Sequence, residues 1–276
     1  MIFYYSFGKY RFSVECDSDI ERYLNNAWKK YETANAKKKN DVCIRIASGS
    51  MPKVSNHTDM WSYSEKNENV CAVFSENNSP RFALVYGRNS GVIDVILNNK
   101  TSVNIRLSLH YALMTAFSKS CVGVHGVTVI CGDKLVILSA PSGTGKTTLS
   151  NLLRKYQNAA VINGDYALLS VDEDGTVYFE PTPFCGSSEI CHNYRFTLDR
   201  IVYLEQSEQN VWRDLSPQEA CASLFSNCFM PIYDMQARER ILSNALKIVE
   251  YVPASCFAFA PNEAAAEIFA ESLKKF

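Results

Sequence analysis

Apolar positions recur at helical spacing over Ile20, Leu24, Ala27, Trp28 and Tyr31, and Tyr23 widens the same face. The run Ser18-Asp19-Ile20-Glu21 at their head has the form of a capping box, which predicts a helix start there. The polar stretch from Glu32 to Asp41, with Lys37, Lys38 and Lys39, reads as a solvated loop or helix end rather than a phosphate patch. Short β-rich runs come next at residues 42–47, 70–74, 82–86 and 92–97, separated by turn residues such as Asn77-Asn78-Ser79-Pro80. Their spacing predicts an antiparallel meander. Residues 1–100 thus form a β-rich α+β region, either with its own fold or packed into the core sheet of the remaining chain.

A helix from about residue 103 to 117 leads into a different pattern. Strands are expected at 127–131 and 135–139 around the turn Cys131-Gly132-Asp133-Lys134, a helix at 147–155, and a short buried strand at 159–163. Residues 168–171 and 177–179 flank Asp172-Glu173-Asp174-Gly175, a hairpin turn without the ligand spacing of a calcium loop. Another strand is expected at 200–204. Ser216-Pro217-Gln218-Glu219 joins a capping box to proline at the first helical position. Helices at about 235–249 and 262–274 bracket a strand at 256–259. Residues 101–276 therefore read as an α/β domain with a mixed sheet.

Composition narrows the function. With 28 basic and 29 acidic residues the net charge is −1, which argues against electrostatic binding of nucleic acid or a membrane surface. No apolar run reaches the roughly 18 residues of a spanning helix, and the apolar Met1 to Tyr10 is too short for a secretory signal and has no basic stretch before it. The 10 cysteines include no Cys-x-x-Cys pair, so free thiols in a reducing cytoplasm are expected rather than a disulfide framework. Cys185, Cys191 and His192 are the one cluster that raises a metal site, and their spacing matches no common zinc pattern.

The chemistry lies in Leu135-Val136-Ile137-Leu138-Ser139-Ala140-Pro141-Ser142-Gly143-Thr144-Gly145-Lys146-Thr147-Thr148, an expected strand, a glycine-bearing loop and an expected helix. That is the context of a phosphate-binding loop, with Ala140 where the strict motif has its first glycine. Gly143 and Gly145 let successive backbone N–H groups from Ser142 to Thr148 face one concavity, and the helix N-terminus adds partial positive charge. Lys146 sets an ammonium against the β- and γ-phosphates, and the Thr147 hydroxyl is the expected ligand of Mg²⁺. The loop is therefore read as a nucleoside triphosphate site with Mg²⁺. There is no Asn-Lys-x-Asp run of the small GTPases and no Leu-Ser-Gly-Gly-Gln-like run of transport ATPases.

Two flanking segments extend the pattern: Gly123-Val124-His125-Gly126-Val127 before the loop and Val161-Ile162-Asn163-Gly164-Asp165 after its helix. With these, the chain from about Val122 onward resembles the HPr kinase/phosphorylase family and its shorter serine-kinase relatives. His125-Gly126-Val127, Gly143 to Thr147 and Asp165 match its successive motifs. Pro181-Thr182-Pro183-Phe184-Cys185-Gly186, Arg200-Ile201-Val202-Tyr203-Leu204-Glu205-Gln206 and Leu215-Ser216-Pro217 look like the shorter members. Residues 1–100 do not resemble the family's accessory domain. The resemblance implies a phosphoenolpyruvate carboxykinase-like P-loop core, and transfer of the γ-phosphoryl group of ATP to a serine of a protein or peptide. It makes Asp165 the general base or hydroxyl-orienting group, with His125 and Lys146 beside it. Gly164 stands where the family has a second aspartate, and Glu189 is the candidate replacement as a metal ligand. His125 could instead be a core histidine bonded to backbone. A kinase and a non-catalytic nucleotide-sensing module are thus the two functions in view. Homo-oligomerisation is left open.

Overall fold

The computed structural model describes residues 1–33 and 41–276, and Lys37, Lys38 and Lys39 lie outside the described residues. The described residues form two mixed sheets and six α-helices. They divide into two compact units, the first made of Met1–Lys119 with Met230–Arg240 and the second of Ser120–Phe229 with Ile241–Phe276.

In the first unit the strands are β1 (Ile2–Phe7), β2 (Tyr10–Glu15), β3 (Val42–Ser48), β4 (Asn56–His57), β5 (Trp61–Lys66), β6 (Asn69–Glu76), β7 (Ser79–Gly87) and β8 (Val92–Leu97). Their order in the sheet is β1-β2-β3-β8-β7-β6-β5-β4. Period-two patterning sets each register: Val42, Ile44 and Ile46 are buried along β3, and Ile93, Val95 and Leu97 along β8. On the other face Arg45 and Asp94 pair in the open.

The expected meander holds from β4 to β8 and fails beyond it. β3 runs parallel to both β8 and β2. Parallel neighbours require a crossover, and α1 (Ser18–Ala27) supplies it between β2 and β3. The β1–β2 hairpin, which the hydrophobic pattern does not predict, presents Tyr5, Phe7 and Phe12 to Trp28, Tyr31 and Phe117 in one aromatic cluster. The cap of α1 is Asp17 rather than Ser18, and its carboxylate accepts from the amides of Asp19 and Ile20.

The amino-terminal stretch of the first unit runs on to Lys119. Helix α2 (Ser102–Phe117) buries Ile105, Leu109, Ala112 and Leu113 and packs on β3, β7 and β8. Residues 1–100 build their own sheet rather than extending the core sheet of the second unit.

The second unit contains β9 (Cys121–Cys131), β10 (Lys134–Ser139), α3 (Lys146–Gln157), β11 (Ala160–Asn163), β12 (Tyr166–Val171), β13 (Val177–Glu180), β14 (Phe196–Thr197), β15 (Arg200–Gln206), β16 (Val211–Asp214) and α4 (Pro217–Asn227). The last eleven residues of α5 (Met235–Tyr251), β17 (Ala254–Phe259) and α6 (Glu263–Leu273) complete it. The strand order is β14-β13-β12-β9-β10-β15-β17-β16, and β11 also pairs with β9. β10, β15 and β17 are parallel, whereas β9 is antiparallel to β10, β11 and β12.

The parallel strands are buried apolar runs, and α3 and α6 cover them through Leu149, Leu153, Ala266, Phe269 and Leu273. The capping box at Ser216 and Glu219 forms as expected and opens α4. None of the ten cysteines is joined in a disulfide. No helix among the described residues is long and apolar enough to cross a membrane.

Candidate functional site

β10 ends at Ser139, and the chain turns through Ala140 to Gly145 before α3 begins at Lys146. Gly143 and Gly145 have φ of 84° and 111°. At Gly145 the requirement is double, because a Cβ there would also stand 3.0 Å from the Phe259 ring. Gly145 is the N-cap of α3 and brings no capping side chain, so the first amides of the helix face outward without a side-chain acceptor.

The Lys146 side chain is buried, and its ammonium donates to the carbonyls of Ala140 at 2.6 Å and Pro141 at 3.0 Å. Burial lowers its pKa, and the Asp165 carboxylate opposes that shift. Thr147 and Thr148 are exposed at the same end of the helix. A buried ammonium without a salt bridge among the described residues, uncapped amides and two left-handed glycines together fit a polyphosphate tail.

His125 and Asp165 reach this end from neighbouring strands. Gly126 lies opposite Ser139 on β10, and His125 lies opposite Tyr166 on β12. The Gly126 amide donates to the Asp165 carbonyl at 2.9 Å, and His125 Nδ1 stands 3.6 Å from Asp165 Oδ1. Burial lowers the His125 pKa, the Lys146 ammonium lowers it further, and Asp165 acts against both. The imidazole is therefore neutral at pH 7. His125 is half-exposed at this cluster, so the core-histidine alternative does not describe it.

Three supporting residues were missed in the sequence. The Asn163 side chain is buried, and its Oδ1 accepts from the amides of Asp165 and Tyr166 at 3.0 Å each, which fixes the turn that carries Asp165. The dipeptide Asn163-Gly164 was a readable signal for that turn. Ser139 Oγ donates to the His125 carbonyl at 2.9 Å, and Gln206 Nε2 to the Gly143 carbonyl at 3.2 Å. No local pattern announces either, since one contact crosses the β9–β10 pair and the other joins β15 to the loop.

Glu189 lies between Ser188 and Ile190, whose carbonyl accepts from the Gly164 amide at 3.1 Å. It is exposed, has φ of 55° at the end of a 3₁₀ turn over Gly186–Ser188, and makes no ion pair among the described residues. No group of three or more His, Cys, Asp or Glu among the described residues could hold a metal ion. Cys191 instead forms a bridge with Asn163, and the His192 amide donates to the Ile162 carbonyl. Asp172 of the acidic turn pairs with Arg195, whose other partner is the buried Glu180.

Gly164 is more than an absent acid. A Cβ at that position would collide with Ser188 Oγ and lie 3.2 Å from the Cys185 carbonyl. Gly164→Asp should therefore displace the turn at 185–188 rather than supply a ligand, at a cost of about 1–3 kcal/mol. Urea unfolding of the variant checks this, and an unchanged midpoint would show that the side chain finds room.

No family model matches the chain, and no curated protein does. Among solved structures, the HPr(Ser) kinase/phosphatase from Coxiella burnetii is similar over 55% of this chain and 88% of that one, at 10% identity and a TM-score of 0.33.

Proposed function

We propose that the second unit binds ATP through the loop at 140–148 and transfers its γ-phosphoryl group to a serine hydroxyl of a protein or peptide. The observation that carries this reading is the convergence of Lys146, His125 and Asp165 at the open N-terminal end of α3. Phosphoryl transfer is chiefly positioning and charge neutralisation. The amides of Gly143 to Thr148 and the Lys146 ammonium hold the phosphate oxygens and take up the charge that develops on them. Asp165 orients the acceptor hydroxyl and accepts its proton, with the His125 imidazole 3.6 Å from that carboxylate. Mg²⁺, when bound, neutralises phosphate charge, and the exposed Thr147 hydroxyl is the protein ligand offered to it.

Asp165→Asn tests the reading because it preserves shape and removes the base. Transfer to serine-containing acceptors should fall by about 10²-fold or more, while ATP affinity measured by calorimetry stays close to that of the unaltered chain. Equal transfer rates would remove Asp165 from the mechanism. A second reading, a nucleotide-dependent regulatory module without turnover, is favoured by the filled space at Gly164. It predicts ATP binding without ADP formation, and a multiple-turnover rate defeats it.

A further inference from the structure

The turn at Gly186–Ser188 lies against Asp165 and Gly164. A Cβ at Gly186 would stand 2.8 Å from Asp165 Cγ and 3.0 Å from Oδ2, so the backbone there rests on the carboxylate itself. Two residues on, Ser188 Oγ abuts Gly164, the neighbour of Asp165 in the chain. Ser188 is exposed. Its hydroxyl donates to the Cys185 carbonyl at 2.7 Å and accepts from the Ile190 amide at 3.2 Å, which leaves one lone pair of the oxygen uncommitted.

Ser139, another hydroxyl beside the cluster, is fully buried and spent on the His125 carbonyl. Glycine at 164 and 186 thus lets the turn that carries Ser188 lie against Asp165 and the residue before it. The left-handed residues Gly186 and Glu189 hold that turn in place.

We infer that Ser188 is a phosphoryl acceptor within its own molecule, a modification site that rests on the kinase reading above. In the step, Ser188 Oγ forms a bond to the γ-phosphorus and the bond from that phosphorus to the β–γ bridging oxygen breaks. The hydroxyl proton passes to Asp165, and ADP leaves with the bond's electron pair. An acceptor carried on a turn that rests on Asp165 reacts in an effectively unimolecular step, which is why the reaction needs no second protein.

The test incubates the full chain with Mg²⁺ and γ-labelled ATP, and follows ADP formation, label on the protein and its position by peptide mapping. Label on Ser188, at a rate per molecule independent of protein concentration, is the expected result. Ser188→Ala should lose that label and Ser188→Thr should regain it, with calorimetry on each variant reporting that ATP still binds. Asp165-dependent ADP formation with the label on Ser187, on another residue or only in free phosphate overturns the self-acceptor while leaving the kinase reading intact. Label on Ser188 at a rate proportional to protein concentration also overturns it, because the acceptor is then a second molecule. Bound ATP without any ADP overturns both.

Discussion

Lys146→Met should weaken triphosphate binding by about 3 kcal/mol, a little over two decades in Kd, as read by calorimetry with Mg²⁺ and ATP. Methionine keeps most of the buried volume, so the loss reports the ammonium. That group already sits in a desolvated position, and its neighbours are two carbonyls of its own loop and the Asp165 carboxylate acting on it. Much of the cost of burying the charge is therefore met during folding, and an anion placed against it gains the interaction with little reorganisation. The variant also leaves the Ala140 and Pro141 carbonyls short of a donor, so its thermal unfolding should be measured alongside. An unaltered Kd in a folded variant would remove the Lys146 ammonium from phosphate binding, and no detectable ATP binding by the unaltered chain would overturn the nucleotide reading itself.

The second large effect lies in the first unit. Asp234 is fully buried, accepts from Tyr86 at 2.8 Å and from Arg88 at 3.1 Å, and pairs ionically with Arg88. Its Oδ1 also accepts from the Ala237 amide at 3.0 Å, which makes it the side-chain cap of α5. Burial pushes the Tyr86 hydroxyl far above its ordinary pKa, so that group stays a donor. Asp234→Ala removes the cap and strands Arg88, which keeps Glu65 and the Asn67 carbonyl. A loss of about 3–5 kcal/mol is expected, the usual result of breaking a buried pair from one side. Asp234→Asn, which retains shape and most hydrogen bonds, should lose less. Urea titrations followed by tryptophan fluorescence decide it, since Trp61 packs 4.3 Å from the adjacent Tyr233. Equal midpoints for the alanine variant and the unaltered chain would show that Glu65 alone satisfies the guanidinium.

How far the sequence could be read depended on the range of each interaction. The strand–loop–helix around Gly143 to Thr148 was legible because its glycines, its lysine and its flanking periodicities are all local. The hairpin at 172–175 and the cap at Ser216 were legible for the same reason. The parallel placement of β3 between β2 and β8 was not, because strand patterning is silent on neighbour order. The β1–β2 hairpin went unread because its buried aromatics are interrupted by Gly8 and Lys9. At the site, His125 and Asp165 were expected together and stand 3.6 Å apart. Glu189 was proposed through the family resemblance, and it is exposed with a left-handed backbone. The role of Gly164 could not be read at all, since what fills the space of a missing side chain is decided by Ser188, far along the chain.

The first unit is completed by Met230–Arg240, after Ser120–Phe229 has gone into another body. On the ribosome, Arg88 must therefore wait for Asp234 until that whole stretch has been made. At ordinary elongation rates the delay is on the order of ten seconds. During it, Tyr86 and Arg88 lack their acceptor and Trp61 lacks Tyr233, so the amino-terminal sheet emerges unfinished and sticky. Vectorial folding, the usual protection of a nascent multidomain chain, is closed to this protein, and its yield in cells should depend on chaperone supply more than its equilibrium stability suggests.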